Sequence, residues 1–190
     1  MTQVITPEDR TRLLALARRA LDAHVRRGAS PPVDVELNIT AGAFVSIFWR
    51  GQLRGCLGRL SPDVALPSLV VRLAQTVADS DPRFDPVRPD ELADITLEIS
   101  VLTPECEITS VDEIEVGRHG LIIARGSRRG LLLPQVATEH GWDRETFLDH
   151  TCTKAGLPAG AWKDGARICV FEAIVFGERD RTGTGLVAHG

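Results

Sequence analysis

The sequence Leu53-Arg54-Gly55-Cys56-Leu57-Gly58 places a cation, a thiol and two glycines within six residues. It follows an apolar run at residues 44–49 and the turn-forming Arg50-Gly51-Gln52. This order predicts a strand, a tight turn and a second strand. Glycine gives a strand no side chain to pack, so two glycines here indicate close approach by another backbone or by a ligand.

Alternation of side chains along the second strand would place Arg54, Cys56 and Gly58 on one face. A guanidinium two residues from a thiol on the same face favours the thiolate, which is the reactive form of cysteine. The alternative is a small, buried structural cysteine, which is common in proteins. The residues alone leave both interpretations open, and they make Cys56 a candidate catalytic residue.

The composition is that of a globular protein with a single sizeable core or two small lobes. The chain has 190 residues, of which 43% are hydrophobic and 25% are charged. Its net charge of −4 argues against a general polyanion binder. No apolar run approaches the roughly 20 residues that span a bilayer. The N-terminus does not resemble a signal peptide, so a cytoplasmic location without membrane contact is expected.

The cysteine pattern predicts neither a metal centre nor a bound cofactor. The four cysteines are Cys56, Cys106, Cys152 and Cys169. None belongs to a Cys-x-x-Cys pair, none has a histidine at zinc-ligand spacing, and no iron–sulfur spacing occurs. In a cytoplasmic protein these thiols should be reduced. Cys106 is expected in a loop, and Cys152 and Cys169 on apolar stripes.

Two segments, residues 44–78 and 121–155, follow the same plan of strand, glycine-containing turn, strand and helix. We interpret them as an internal repeat. Thr6 is the predicted N-cap of an earlier helix that ends at Gly28. Residues 168–176 are apolar on both faces except at Glu172, which predicts one central strand. The polar, glycine-rich tail from about residue 179 is expected to be loose.

Six ordered blocks of sequence resemble the AMMECR-type domain family and run over nearly the whole chain. They are residues 53–58, Asp81-Pro82-Arg83-Phe84, residues 98–104, residues 117–121, residues 130–137, and a last block from Gly141 to Pro158. This family includes protein A of the microbial AmmeMemoRadiSam system and the human protein of the Alport, midface hypoplasia, intellectual disability and elliptocytosis region. Departures are slight: Leu57 stands where isoleucine is commoner, and Arg59 where a small polar residue is common.

The resemblance implies a mixed α+β fold with two hairpin-plus-helix repeats that share a barrel-like, mostly antiparallel sheet. It implies one AMMECR-type domain over residues 1–190, built from two intertwined lobes of unequal size. In microbes the family is associated with a Memo-type protein and a radical SAM enzyme. Both are therefore expected partners, and the iron–sulfur cluster would belong to the radical SAM enzyme.

Three further residues, Asp81, Arg83 and Gln135, complete the candidate ligand-binding set, which also contains Arg54, Gly55 and Gly58. Asp81 and Arg83 form either a turn lock or a site in which Arg83 holds an anionic group. Gln135 follows a proline at a predicted helix start, where free backbone N–H groups can hold an anion, or it is simply a surface residue. His119 and His150 are candidate general bases for Cys56, because histidine titrates near neutrality.

Three functions are compatible with these observations. The first is a module that binds a small molecule or a partner within the AmmeMemoRadiSam system. The alternative is a cysteine-dependent enzyme that uses Cys56 on a small metabolite or a modified group. The third is nucleic-acid binding around Arg118, Arg125, Arg128 and Arg129. No stacking aromatic lies among these arginines, so nucleic acid is the least expected ligand.

Overall fold

The structure is a computed structural model that describes residues 5–60 and 63–178. Its α-helices are α1 (Pro7–Val25), α2 (Leu66–Thr76), α3 (Pro134–Glu139) and α4 (Arg144–Lys154). Its strands are β1 (Ala43–Trp49), β2 (Gln52–Arg59), β3 (Ile95–Leu102), β4 (Cys106–Glu107), β5 (Gly120–Arg125), β6 (Arg128–Leu132), β7 (Arg167–Phe171) and β8 (Ala173–Gly177). Within the described ranges, none of the helices is long and apolar enough to cross a membrane. The predicted loose tail lies outside the described residues.

The strands form two separate four-stranded antiparallel sheets, so the fold is a mixture of α and β structure. The first sheet has the order β2-β1-β3-β8, and the second has the order β4-β7-β5-β6. The expectation of one shared, barrel-like sheet is therefore wrong. Strand alternation and turn residues specify which segments are strands, but they do not specify which strands pair.

The chain divides into two compact units, each with its own hydrophobic core. The first unit extends to Val101 and takes up the chain again from Ile174, whereas the second comprises Leu102–Ala173. The continuous strand expected over residues 168–176 is wrong. It is interrupted at Glu172, so that β7 belongs to the second sheet and β8 to the first.

Helix α1 and strand β3 of the first unit follow the patterns that the sequence predicts, whereas the short strand expected around Val35 to Ile39 is absent from the described structure. Thr6 caps α1 as expected: its side chain accepts a hydrogen bond from the Asp9 backbone N–H at 3.2 Å, and the Asp9 carboxylate accepts one from the Thr6 N–H at 3.0 Å. The buried stripe of α1 packs on α2, and α2 packs against β1 and β2. The buried residues of β3 alternate with half-buried ones up to Val101, as its apolar–polar alternation predicts.

Each predicted hairpin is present, and each is followed by helical structure. Arg50 and Gly51 form the first two-residue turn with φ of 50° and 87°, the left-handed values of a type I′ turn. After the first hairpin comes α2, whereas the second hairpin is followed by two helices, α3 and α4. That the two segments form an internal structural repeat stays a prediction.

Candidate functional site

A β-bulge interrupts β2 between Leu53 and Gly55, inside the motif of residues 53–58. Ile47 of β1 pairs with Gly55, but the next residue, Phe48, pairs with Leu53, so Arg54 is left as the extra residue. The alternation predicted for this strand is therefore wrong between Leu53 and Gly55. A bulge has this effect because two residues of one strand then oppose one residue of its partner.

The register after the bulge determines which residues share a face. Gly58, Cys56 and Leu53 pair with Phe44, Ser46 and Phe48, respectively. These three partners alternate along β1, so Leu53, Cys56 and Gly58 lie on one face of the sheet. Leu53 has 41% of its surface exposed, and Cys56 is half-buried. This face of β2 therefore presents a thiol and an apolar side chain together.

Arg54 is bound by the segment that follows α2. Its Nε and Nη2 donate to the two carboxylate oxygens of Glu91 at 3.0 and 3.2 Å, and its Nη1 donates to the Asp85 carbonyl at 2.8 Å. The side chains of Arg54 and Glu91 are only 15% and 9% exposed. Burial alone would raise the pKa of Glu91, but hydrogen bonds from Arg54 and from the Arg88 backbone N–H outweigh it and hold that pKa below its usual range. Arg54 thus joins the strand to residues 85–91.

Asp81 closes the free edge of β2 at the cysteine. β2 is an edge strand, and the Cys56 backbone N–H donates to Asp81 Oδ2 at 2.9 Å. Arg83 donates to the same carboxylate through Nε at 2.9 Å, through Nη2 at 2.7 Å and through its backbone N–H at 3.2 Å. The hydrogen bonds from Arg83, together with the one from Cys56, outweigh burial and hold the pKa of Asp81 far below its usual range.

Arg83 is joined to Cys56 through Asp81, because the same carboxylate accepts hydrogen bonds from the Arg83 guanidinium and from the Cys56 backbone N–H. The pKa of Arg83 is raised, chiefly by the hydrogen bond to Asp81 and further by the negative charge of that carboxylate. Unlike Arg54, the Arg83 side chain is 57% exposed, and its guanidinium lies 5.4 Å from the Phe84 ring centre. The structure therefore brings together Cys56, Asp81 and Arg83 from two sequence blocks. A ligand-binding role for Arg54 stays a prediction, and its side chain is bound by Glu91 and the Asp85 carbonyl.

The two glycines of the motif make close contacts within the chain. A Cβ atom on Gly55 would lie 2.9 Å from the Val77 carbonyl oxygen, at the C-terminal end of α2. A Cβ on Gly58 would lie 2.1 Å from the Phe44 ring. The close approach that their presence predicted is thus made by a helix end and by an aromatic ring. A direct role of either glycine in binding a ligand stays a prediction.

Gln135 and the two histidines belong to the second unit, whereas the cluster around Cys56 is built entirely from the first. Gln135 is exposed in the first turn of α3, and its carbonyl accepts a hydrogen bond from Thr138 Oγ1 at 2.9 Å. The Nδ1 of His119 accepts a hydrogen bond from the Glu115 backbone N–H at 3.1 Å. His150 stacks on Trp142 with ring centres 3.9 Å apart. Each histidine thus has a local structural contact.

Most of the chain, including the cluster around Cys56, is similar to a known protein family. The AMMECR1 family model matches residues 14–176. This chain belongs to the AMMECR1 family. It is 42% identical to protein MK0488 of Methanopyrus kandleri, over 96% of this chain and 95% of that protein. It is also 44% identical to a protein of Methanothermobacter thermautotrophicus, over 90% and 94% of the two chains.

A solved structure of an AMMECR1-type relative has the same fold. It is the crystal structure of the uncharacterized protein PH0010 from Pyrococcus horikoshii, which superposes with a TM-score of 0.72 at 40% sequence identity. The match covers 87% of this chain and 89% of that one. The names of these relatives state no substrate or partner, so functional arguments for this AMMECR1-family chain depend on its own residues.

The other cysteines of this AMMECR1-family chain differ from Cys56 in their surroundings. Cys152 and Cys169 are buried, and burial raises the pKa of both thiols. Cys106 is exposed and lies in β4, paired with Val170 of β7, so its expected place in a loop is wrong. Over residues 5–60 and 63–178, no group of three metal-ligating side chains could hold an ion. A metal-free protein stays a prediction.

Sequence reasoning missed Glu91, which is essential to the arrangement. The pattern at residues 88–92 predicts only a short helical turn, and the 3₁₀ helix found there covers Leu92–Asp94. A usable signal exists: an arginine between Leu53 and Gly55 in a predicted strand needs a carboxylate partner if it is buried, because charged side chains are rarely buried unpaired. The sequence does not identify which carboxylate supplies the charge.

Proposed function

We propose that this AMMECR1-family chain is a binding module that holds an anionic group of a small molecule or a partner protein on Arg83, beside Cys56. The observation that carries the proposal is the state of the Arg83 guanidinium. Two of its nitrogens are fixed by Asp81, and the side chain is still 57% exposed. An arginine that is oriented by a carboxylate and open to solvent is pre-organised for an incoming anion.

The surroundings of Arg83 add the features that a binding surface needs. Phe84 lies under the guanidinium, and the exposed Leu53 lies on the same strand face as Cys56. A cation, an aromatic ring and an aliphatic side chain together can recognise a ligand that has an anionic end and an apolar part. The face of β2 would thus contribute contact area, and Arg83 would contribute charge specificity.

Binding is favoured over cysteine catalysis by the chemistry of the nearest acid. A cysteine nucleophile is usually activated by an adjacent base. Asp81 is the carboxylate that contacts the Cys56 backbone, and its hydrogen bonds lower its pKa, so it is a weak base. The cysteine-dependent enzyme remains the second candidate, because Cys56 is a half-buried free thiol whose backbone N–H shares the Asp81 carboxylate with Arg83.

We also propose a place for the chain in the AmmeMemoRadiSam system, with the Memo-type protein and the radical SAM enzyme as partners. Family membership supports this partnership. Nucleic-acid binding remains third, because the arginines of the second hairpin are partly engaged: Arg129 pairs with Glu105 at 2.7 Å, and Arg128 donates to the Gly156 carbonyl at 2.8 Å. A cytoplasmic location is part of the proposal.

The first test is timed iodoacetamide labelling of the native protein near neutral pH, measured by peptide mass spectrometry. Cys56 should label before the exposed Cys106, which has acidic neighbours, whereas Cys152 and Cys169 should stay protected until denaturation. Arg83→Ala should slow labelling of Cys56 by about two- to fivefold, because an exposed charge pair contributes up to about 1 kcal/mol.

Arg50→Ala is the matched control for Arg83→Ala. Arg50 also pairs with an aspartate, Asp94, and its guanidinium also lies over an aromatic ring, that of Trp49. It should leave the labelling rate of Cys56 unchanged. If Cys106 labels first and Cys56 stays protected, the thiol belongs to the core and is not part of a ligand site.

A thermal-shift screen of carboxylated and phosphorylated metabolites separates the two candidate functions. A binding module should retain its ligand response in Cys56→Ala and lose it in Arg83→Ala, with Arg50→Ala as control. Turnover of a bound metabolite by the wild-type protein, abolished in Cys56→Ala, would instead establish the enzyme. Co-purification with the Memo-type and radical SAM proteins tests the partnership directly.

A further inference from the structure

A cavity of about 650 Å³ lies in the first unit, between the C-terminal end of α1 and the segment that follows α2. Its volume is within the range of about 300–1,000 Å³ that is typical of small-molecule sites. Charged or titratable side chains line one part of it: His24, Arg26, Arg27, Asp79 and Arg88. Neither Cys56 nor Arg83 is among its lining residues, so it is distinct from the site of the proposed function.

The charges around this cavity do not cancel. Asp79 is engaged by His24, with Oδ2 and Nε2 2.7 Å apart, and Arg88 is paired with Asp90 through two hydrogen bonds of 3.1 Å. Arg26 and Arg27 are exposed, and in the described part of the chain neither side chain forms an ion pair or a hydrogen bond. Two guanidinium groups are thus left for an external anion, in a protein whose net charge is −4.

Arg27 occupies a backbone position that disfavours arginine. The N–H of Gly28 donates to the Ala23 carbonyl at 2.7 Å, and the N–H of Arg27 donates to the His24 carbonyl at 3.0 Å. These bonds form a Schellman motif, in which the left-handed residue is usually glycine. Here Arg27 takes that position with φ of 56°, although a glycine follows directly. The left-handed residue that closes α1 is therefore Arg27, one residue before the predicted Gly28.

The helix end alone does not account for Arg27. Cations are favourable near a helix C-terminus because they interact with its carbonyl groups. Arg26, which is the C-cap, already provides such a cation with a negative φ of −84°. A glycine in place of Arg27 would relieve the left-handed strain. The strained arginine therefore points to a role for its side chain at the cavity it lines.

The rest of the cavity wall is apolar and held in place. Val25, Pro86 and Val87 are among its lining residues. The Val87 N–H donates to the Ala78 carbonyl at 2.7 Å, which ties the wall to the end of α2. An apolar wall and unpaired guanidinium groups that line the same cavity suit a compact organic molecule with an anionic head.

We propose that this cavity binds a small organic anion, with its phosphate or carboxylate group on Arg26 and Arg27 and its apolar body against Val25 and Val87. Phenyl phosphate and benzoate are the probes for the two head groups, and phenol is the neutral control. Binding is measured by thermal shift and by chemical-shift changes in the full-length protein. At least one of the two anionic probes should bind in a saturable manner, and phenol should not.

The variants test whether the cavity arginines are responsible. Arg26→Ala should weaken binding of the anionic probe by about fivefold or more, as expected for a lost charge-assisted hydrogen bond. Arg27→Gly should also weaken binding, yet raise the unfolding midpoint of the free protein by about 2–4 °C, because glycine relieves the left-handed strain. Arg72→Ala removes the same charge from an exposed position of α2 that does not line the cavity, and should bind the probe normally.

Several results would overturn the proposal. One is a thermal shift with sulfate, at the same ionic strength, that equals the shift with the anionic probe. Another is a loss of probe affinity in Arg72→Ala as large as the loss in Arg26→Ala. The third is wild-type probe affinity in both Arg26→Ala and Arg27→Gly. Arg83→Ala distinguishes the two sites. If Arg83→Ala loses probe binding and Arg26→Ala keeps it, the anion binds at the Cys56 site and the cavity is left without a ligand. If Arg26→Ala loses probe binding and Arg83→Ala keeps it, the cavity is supported as the site.

Discussion

Replacement of Arg54 by alanine should strongly destabilise the first unit. The change would remove both hydrogen bonds to the Glu91 carboxylate and the bond to the Asp85 carbonyl, and would leave Glu91 at 9% side-chain exposure without its counter-ion. Breaking a buried pair in this way costs about 3–5 kcal/mol. Glu91 would keep one donor, the Arg88 backbone N–H at 2.7 Å, so we expect the lower end of that range.

The same hairpin offers a matched control. Arg50 pairs with Asp94 at 2.9 Å, but these side chains are 67% and 44% exposed. Exposed ion pairs contribute at most about 1 kcal/mol, so Arg50→Ala should cost no more than that. Urea unfolding followed by far-UV circular dichroism measures both free energies of unfolding. Tryptophan fluorescence is less suitable, because Arg50 lies over the Trp49 ring.

A double variant determines whether the cost comes from the unpaired carboxylate. Glu91→Gln in the Arg54→Ala background removes the buried negative charge, so the double variant should be more stable than Arg54→Ala alone. The reasoning is refuted if Arg54→Ala costs no more than Arg50→Ala. Arg54 would then be free to hold a ligand, and the assignment of Arg83 as the cation of the site would lose its basis.

Two further predictions concern Asp81 and the strand glycines. Because the pKa of Asp81 is lowered in the folded state, its ionised form stabilises the protein at neutral pH, and that contribution is lost as the pH falls below the unfolded value of about 4. Asp81→Asn should therefore cost most stability at pH 7 and progressively less towards pH 3 in urea titrations, and a deficit that stays constant would contradict this. Gly130→Ala should cost more than Gly55→Ala, each on the scale of about 1–3 kcal/mol for overpacking. The added Cβ would lie 2.2 Å from the Ala155 backbone nitrogen in the first case and 2.9 Å from the Val77 carbonyl oxygen in the second, and equal tolerance of both changes would contradict the order.

The sequence was a good guide to local structure because local structure depends on near neighbours. The Thr6 cap, the two hairpins and the alternation of buried and half-buried residues in β3 all follow from turn chemistry and periodicity. Pairing between strands depends on contacts that are distant in sequence. The apolar segment at residues 168–176 therefore looked like one central strand, although Glu172 separates two strands of different sheets.

The candidate site was predicted in its parts but not in its connections, and a single inserted residue explains why. Period-two alternation assigns Arg54 and Cys56 to one face, but a bulge breaks the alternation at its own position. Arg54 is the unpaired residue of the bulge, and its side chain binds Glu91 and the Asp85 carbonyl. These hydrogen bonds anchor the segment after α2, which also carries Arg83. Asp81 then joins that segment to the Cys56 backbone. The two sequence blocks around Cys56 and Arg83 are consequently one structural unit, in which the arginine of the first block fixes the segment that carries the exposed arginine of the second.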